Sequence, residues 1–151
     1  MKITTVIADG EDEEIRIVCK ERNDRIIFIE DILKNAVGHN DTLLLTSSDM
    51  QYFIASKELL FCESLDGKIA CHTKDGIFYS SYKLYELEKI LPYYFCRASK
   101  SSLINTKLVY SIKKNISGAS EISFKASAKK AYLSRSYYKP FMEKMNETRL
   151  S

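Results

Sequence analysis

A chain of 151 residues with 45% apolar content and a formal net charge of +3 is long enough for one ordinary domain, or a small one with an appendage, and too apolar to stay disordered. No run approaches the roughly 18 consecutive apolar residues of a membrane helix, and the first residues lack the basic-then-apolar pattern of an export signal, so the expected compartment is the cytoplasm. Charge is split along the chain: residues 1–45 carry 6 Lys or Arg against 10 Asp or Glu, a net −4, and residues 46–151 carry 17 against 10, a net +7. An acidic front and a basic body suggest two jobs, the second being to hold a polyanion unless the body is a solvated basic surface with no partner.

Residues 2–8 alternate and are rich in β-branched side chains, and residues 14–20 do the same after the acidic turn Asp9-Gly10-Glu11-Asp12. That is a hairpin signal. Asn23 or Asp24 then caps a helix whose apolar positions Ile26, Ile29, Leu33 and Ala36 or Val37 recur at three- and four-residue spacing and end near Gly38. The front, residues 1–45, therefore reads as a small strand-strand-helix region. Ile27 and Phe28 widen its apolar stripe, enough to dock on the basic body or on a second subunit.

Short strands follow over 43–46, 51–55, 58–63, 68–73 and 77–80, and turns at Leu65-Asp66-Gly67 and Lys74-Asp75-Gly76 separate the last three. Helical spacing appears over 82–91, with Leu84, Leu87, Ile90 and Leu91 on one side and Glu86, Glu88 and Lys89 on the other, until Pro92 stops it. Further strands are expected at 107–114 and 121–125, joined by Ser117-Gly118-Ala119, then at 130–133, before a last helix over 137–145. The fold class is mainly β, α+β overall, with antiparallel sheets and one short helix between them.

Residues 95–105 pack Arg97 and Lys100 with Ser99, Ser101, Ser102 and Asn105 between Phe95 and the apolar pair Leu103-Ile104. The cations can neutralise phosphates while the small donors set the register of a protein on a duplex; the plain alternative is a polar loop before a strand. Arg97 could instead pair with Glu63 or Glu88, and Asn105 could cap a local turn. Cys19, Cys62, Cys71 and Cys96 form no CxxC pair and sit in apolar or strand-like surroundings, which favours reduced thiols over zinc or disulfides. An enzyme would have little to work with: His39 and His72 are the only histidines, and no zinc motif, nucleophile elbow or glycine-rich phosphate loop is present. Ten tyrosines raise the option of base stacking on single strands, but they are not interleaved with the cations, which points to core and interface roles.

In this order the pieces resemble the LytTR DNA-binding domains of bacterial transcription regulators. Leu59-Leu60-Phe61-Cys62-Glu63-Ser64 is similar to the family's strand ending in an acidic residue, and 72–79 to the hairpin after it. Residues 83–105 are similar to its helix, its Leu-Pro stop and its Phe-x-Arg-x-x-x-Ser-x-x-x-Asn core, and Ser134-Arg135 with Tyr137-Tyr138 to its closing motif. The resemblance covers roughly residues 50–147. Departures are Ser99, where many members carry His or Arg, Lys100, where they carry an amide, and 125–129, which lacks an Asn-Gly turn.

That resemblance implies a mostly antiparallel β body that reaches double-stranded DNA with loops entering successive major grooves, without a recognition helix. Carried over residue by residue, it implies base contacts from Arg135, Lys100 and Lys68. It implies phosphate contacts from Arg97, Ser99, Ser101 and Ser134, with Lys113, Lys114 and Lys139, and more weakly Lys129 and Lys130, as electrostatic support. Ser134 could also be only a helix cap. The front resembles the leader of a receiver-less branch, often encoded beside a small membrane protein, so expected partners are DNA, a second copy and such a membrane protein. With no room for a receiver before position 50, no phosphorylation input is expected within the chain. No cofactor, metal, catalytic residue or small-molecule substrate is expected. The rival reading is a protein-interaction or anti-regulator module of the same fold without DNA binding.

Overall fold

The Asn23 side chain accepts a hydrogen bond from the Ile26 amide at 3.1 Å and so opens the first helix, α1 (Asp24–Val37), by satisfying an amide that has no partner within the helix. The computed structural model describes residues 10, 15–37 and 42–149. Residues 15–20 form no strand there, contrary to the alternation of their sequence, and Ile15 and Val18 stand exposed. A lone strand with no described neighbour has nothing to order it. The expected first strand at 2–8 and the helix end at Gly38 lie outside the described residues.

Ten strands and two more helices follow: β1 (Thr42–Ser47), β2 (Met50–Ala55), β3 (Phe61–Leu65), β4 (Lys68–His72), β5 (Ile77–Ser80), α2 (Leu84–Ile90), β6 (Phe95–Ser99), β7 (Ser102–Asn105), β8 (Val109–Lys113), β9 (Ser120–Phe124), β10 (Lys130–Leu133) and α3 (Arg135–Arg149). They build a seven-stranded sheet in the order β2-β1-β5-β4-β3-β7-β6 and a three-stranded sheet in the order β10-β9-β8, antiparallel throughout. β1 spans the division expected between residues 45 and 46, so the front of the chain is joined to the body by a strand. Positive φ at both Asp66 (51°) and Gly67 (76°) gives the β3–β4 turn the twist that antiparallel strands prefer. In the β4–β5 turn no residue has positive φ. There the Thr73 hydroxyl accepts from the Gly76 amide at 3.1 Å instead.

Residues 95–105, open between a loop and a contact surface from their composition, form the β6–β7 hairpin. All of β7 is buried, because the large sheet is covered on both faces here and strand alternation then loses its polar side. On one face α2 and its C-cap residue lay Leu87 and Leu91 against Leu45, Cys62, Cys71 and Leu103. On the other, the small sheet and α3 bring Ile122, Leu133, Phe141 and Met145 against Phe61, Ala98 and Ile104. Each such side chain, once buried, contributes roughly 1.5–3 kcal/mol.

Polar groups caught in this sandwich are satisfied. Asn105 is 1% exposed; its amide donates to the Leu59 carbonyl at 2.9 Å and its oxygen accepts from the Lys107 amide at 3.1 Å, the local cap that was one of its two readings. Asn105→Ala strands both partners, so stability should fall by about 1–3 kcal/mol, as urea denaturation would register.

His72 stacks on Phe61 at 4.1 Å, and its Nε2 lies 3.0 Å from Glu63. Lys129 approaches its Nδ1 at 3.4 Å while donating to the Gly76 carbonyl at 2.7 Å, which ties the segment before β10 to the β4–β5 turn. Burial holds the His72 pKa below its ordinary value, with Glu63 pulling the other way. The folded protein therefore favours the neutral ring, and as pH falls below about 6.5 the unfolded chain takes up the proton first. Denaturation midpoints should decline as pH drops through that region, and His72→Gln should flatten the decline.

Candidate nucleic-acid interface

Strand register decides where the turns end up. β3 pairs with β7 so that Glu63 faces Ser102, which sets the β3–β4 turn beside the tip of the β6–β7 hairpin. The Ser64 amide donates to the Ser101 carbonyl at 2.8 Å and fastens the two together. On the far side of the hairpin, a register shift between Arg97 and Ser99 marks a bulge, and the Ala98 carbonyl accepts from the Ser134 amide at 2.9 Å. That bond brings the β10–α3 junction to the same end of the molecule. In the small sheet Leu133 faces Ser120 and Glu121 faces Lys113, so Lys113 and Lys114 leave β8 at that end as well.

Lys68, Lys100 and Arg135 thus come from three separate turns and lie at one end of the two sheets. Lys100 and Arg135 are exposed, and among the described residues neither side chain has an ion-pair or hydrogen-bond partner. Lys68 stands 5.6 Å from the Tyr79 ring. Arg135 is the first residue of α3, where a cation opposes the helix dipole at about 0.3–1 kcal/mol. Folding gains nothing from a guanidinium at this position. Lys139 is exposed four residues on, on the same helix face, and Lys114 lies 4.8 Å from the Tyr138 ring.

Other candidates are engaged. Arg97 donates from Nε to Glu88 at 2.9 Å and from Nη1 to the Lys100 carbonyl at 2.6 Å, so it braces the hairpin tip and its charge is largely met within the chain. Glu63, the other partner open to it, is taken by His72. The Ser99 hydroxyl accepts from the Ser101 amide at 3.1 Å and lies 2.9 Å from the Ser102 hydroxyl, inside the turn; Ser101 itself is exposed. Ser134 stands at the N-cap position, its carbonyl accepting from the Tyr137 amide and its hydroxyl 3.3 Å from that of Ser136. Lys129 and Lys130 do not join the group. They precede and open β10 at the other end, held by the Gly76 carbonyl and by Ser123 and Glu121.

The sequence offered no reason to single out Tyr82 and Lys83. With Lys68, Tyr79, Arg97 and Lys100 they line an open cavity of about 610 Å³ between the β3–β4 turn, the start of α2 and the hairpin. The one local feature of Lys83 is that it immediately precedes α2, three residues past β5, and that alone does not mark a contact residue. Among the described residues no cluster of His, Cys, Asp or Glu could hold a metal, and no helix is long and apolar enough to cross a membrane. Cys62 and Cys71 are buried, Cys96 is partly so, Cys19 is exposed, and none forms a disulfide. Burial lifts the Cys96 pKa to about 11.

Residues 49–146, from the β1–β2 turn into α3, match the LytTr DNA-binding domain. The chain belongs to the LytTR family. It is similar to the LytTr DNA-binding domain of a response regulator from Bacillus cereus, with a TM-score of 0.65 at 20% identity over 70% of this chain and 97% of that one, which shows the same fold. It is also 26% identical over 147 residues, 97% of this chain and 99% of the other, to an uncharacterized HTH-type transcriptional regulator of Staphylococcus aureus (strain bovine RF122 / ET3-1). In this LytTR chain the described helices never follow one another directly, so they form no helix-turn-helix.

The brace on the hairpin tip is testable without DNA. Arg97→Lys keeps the charge but cannot bridge Glu88 and the Lys100 carbonyl together. Bonds to charged groups contribute about 1.5–3 kcal/mol, so amide exchange at 99–102 should speed up roughly tenfold or more, with the core strands β3 and β4 unaffected.

Proposed function

We propose that this LytTR chain is a sequence-specific regulator of transcription that grips double-stranded DNA with the turns at one end of its sheets, entering successive major grooves, and that it does so as a dimer on paired sites. The observation that carries the reading is the arrangement of Lys68, Lys100 and Arg135 on separate turns at a common end, two of them exposed and without partners among the described residues. Arg135 has the strongest claim to a base, since a guanidinium bonds bidentately to guanine O6 and N7. Lys100 and Lys68, as single-point donors, read fewer features of a base. Ser101, Ser134, Lys113, Lys114 and Lys139 serve phosphates, and Lys83 extends their reach along the duplex. Arg97 and Ser99 keep the tip in shape, and only what their internal bonds leave free serves phosphate. A small membrane protein as a further partner accords with the acidic front. Binding of protein alone, with the same fold and no DNA contact, is the competing outcome.

A mobility-shift titration against the promoter of its own gene, repeated at several salt concentrations, tests this. Lys139→Ala, which removes one phosphate contact, should flatten the slope of log affinity against log salt by roughly 0.9 and weaken all sequences alike. Arg135→Ala should weaken the specific site by about 1–3 kcal/mol and relax preference at one base pair. The same change should leave thermal stability unaltered or raise it by a few tenths of a kcal/mol, because a cation leaves the positive end of a helix dipole. Equal affinity for all duplexes in wild type and variants would sink the site.

A further inference from the structure

The cavity between the β3–β4 turn, the start of α2 and the β6–β7 hairpin is open to solvent and holds about 610 Å³, within the range of small-molecule sites. Lys68, Lys83, Arg97 and Lys100 line it, and no carboxylate does. Two acids close by in sequence are engaged: Glu88 pairs with Arg97, and Glu86 accepts from the Lys83 amide at 3.1 Å. Asp66 lies in the adjoining turn but outside the lining. Lys68, Lys83 and Lys100 remain, all exposed and without an ion-pair partner among the described residues, so a field of one sign is focused into a concave surface. Tyr82 and Tyr85 stand in the same lining, 41% and 54% exposed. A duplex brings phosphates to the lysines but nothing to these rings, because its bases are stacked on one another and enter a pocket only when extruded.

We propose that this cavity binds a free nucleotide of the nucleoside diphosphate class, its phosphates among Lys68, Lys83 and Lys100 and its base against Tyr82 and Tyr85, and that the nucleotide competes with DNA for the same lysines. The chemistry matches on two counts. A diphosphate brings enough negative charge to meet three ammonium groups, since Arg97 is already met by Glu88. An aromatic base has a face to lay on a tyrosine ring, a contact that any base can make. Inorganic phosphate lacks the ring, and a duplex withholds it. Because Lys68 and Lys100 serve both ligands, a nucleotide in the cavity takes cations away from the duplex, and the proposed DNA contact becomes responsive to a soluble metabolite.

The competition rests on the DNA contacts proposed above; the cavity site does not. Titration of the full chain with ADP at constant ionic strength, so that screening stays fixed, should move the amide NMR signals of residues 67–69, 79–85 and 97–100, which hold the lining. Pyrophosphate, with the charge but no ring, should bind about tenfold more weakly, the size of one base-aromatic stack. Adenosine, with the ring but no charge, should move nothing there. Tyr82→Ala should weaken ADP by about the same factor and leave pyrophosphate as it was, whereas a ring that merely supported the fold would affect both. Lys83→Ala should weaken ADP and pyrophosphate alike. In the mobility shift ADP should displace the specific duplex at matched ionic strength, and Lys139→Ala, outside the cavity, should lower affinity for DNA and not for ADP. Equal affinity for ADP and pyrophosphate overturns the proposal, and so do shifts spread as strongly over Lys113, Lys114 and Lys139 or a cavity that answers to single-stranded DNA and not to ADP. A protein that binds duplex without answering to ADP loses the cavity site and keeps its DNA contacts, while one that binds ADP in the cavity and no duplex counts against the DNA reading alone.

Discussion

The burial of β7 between β3 and β6 is the constraint on which the other features depend. Its residues are covered from both sides, by α2 above and by the small sheet with α3 below, so the strand cannot slip. A shift by one residue would exchange Leu103 for Ile104 between two different cores. Fixed in this way, β7 sets the β6–β7 tip beside the β3–β4 turn through its pairing with β3. Through β6 it sets the same tip beside the start of α3. The polar residues that bound the strand are satisfied internally, Ser102 by Ser99 and Asn105 by Leu59 and Lys107, and a buried strand carrying unsatisfied donors would not hold its place.

Electrostatics at this end runs against what stability alone would choose. Cations from several turns are gathered with few acids among them, Glu88 being spent on Arg97 and Asp66 occupying a turn position that needs positive φ. Arg135 begins a helix where a carboxylate would be better placed. Mutual repulsion of this kind is relieved when phosphates arrive and counterions leave. At the opposite end the lysines behave differently: Lys129 and Lys130 are absorbed by a carbonyl, a hydroxyl and a carboxylate. The same residue type is thus spent on structure at one end and left available at the other, a difference that composition does not reveal.

Much of the fold was legible where a local rule was strong. The Asp66-Gly67 turn, the three- and four-residue spacing of α2 with Pro92 behind it, and the short alternating strands of the meander follow from backbone chemistry acting over a few residues. The β6–β7 hairpin was not legible, because its tip, Ser99-Lys100-Ser101, has no Asn-Gly or Asp-Gly signature, and burial on both faces removes the alternation that marks a strand. Residues 15–20 failed in the opposite sense: they alternate as a strand should, but have no described neighbour to pair with. For Arg97 the candidate partners Glu63 and Glu88 were both visible in the sequence. The choice fell to Glu88 because His72, stacked on Phe61, holds Glu63, a competition that exists only in three dimensions.

One backbone hydrogen bond joins these themes. The bond from the Ser134 amide to the Ala98 carbonyl brings Arg135 to the hairpin, and it also occupies the sheet edge that β6 would otherwise present. With that carbonyl taken and α3 packed against the strand, β6 offers a poorer template for an added strand than a bare edge would. The contact that assembles the candidate DNA-reading end therefore also guards this edge of the large sheet.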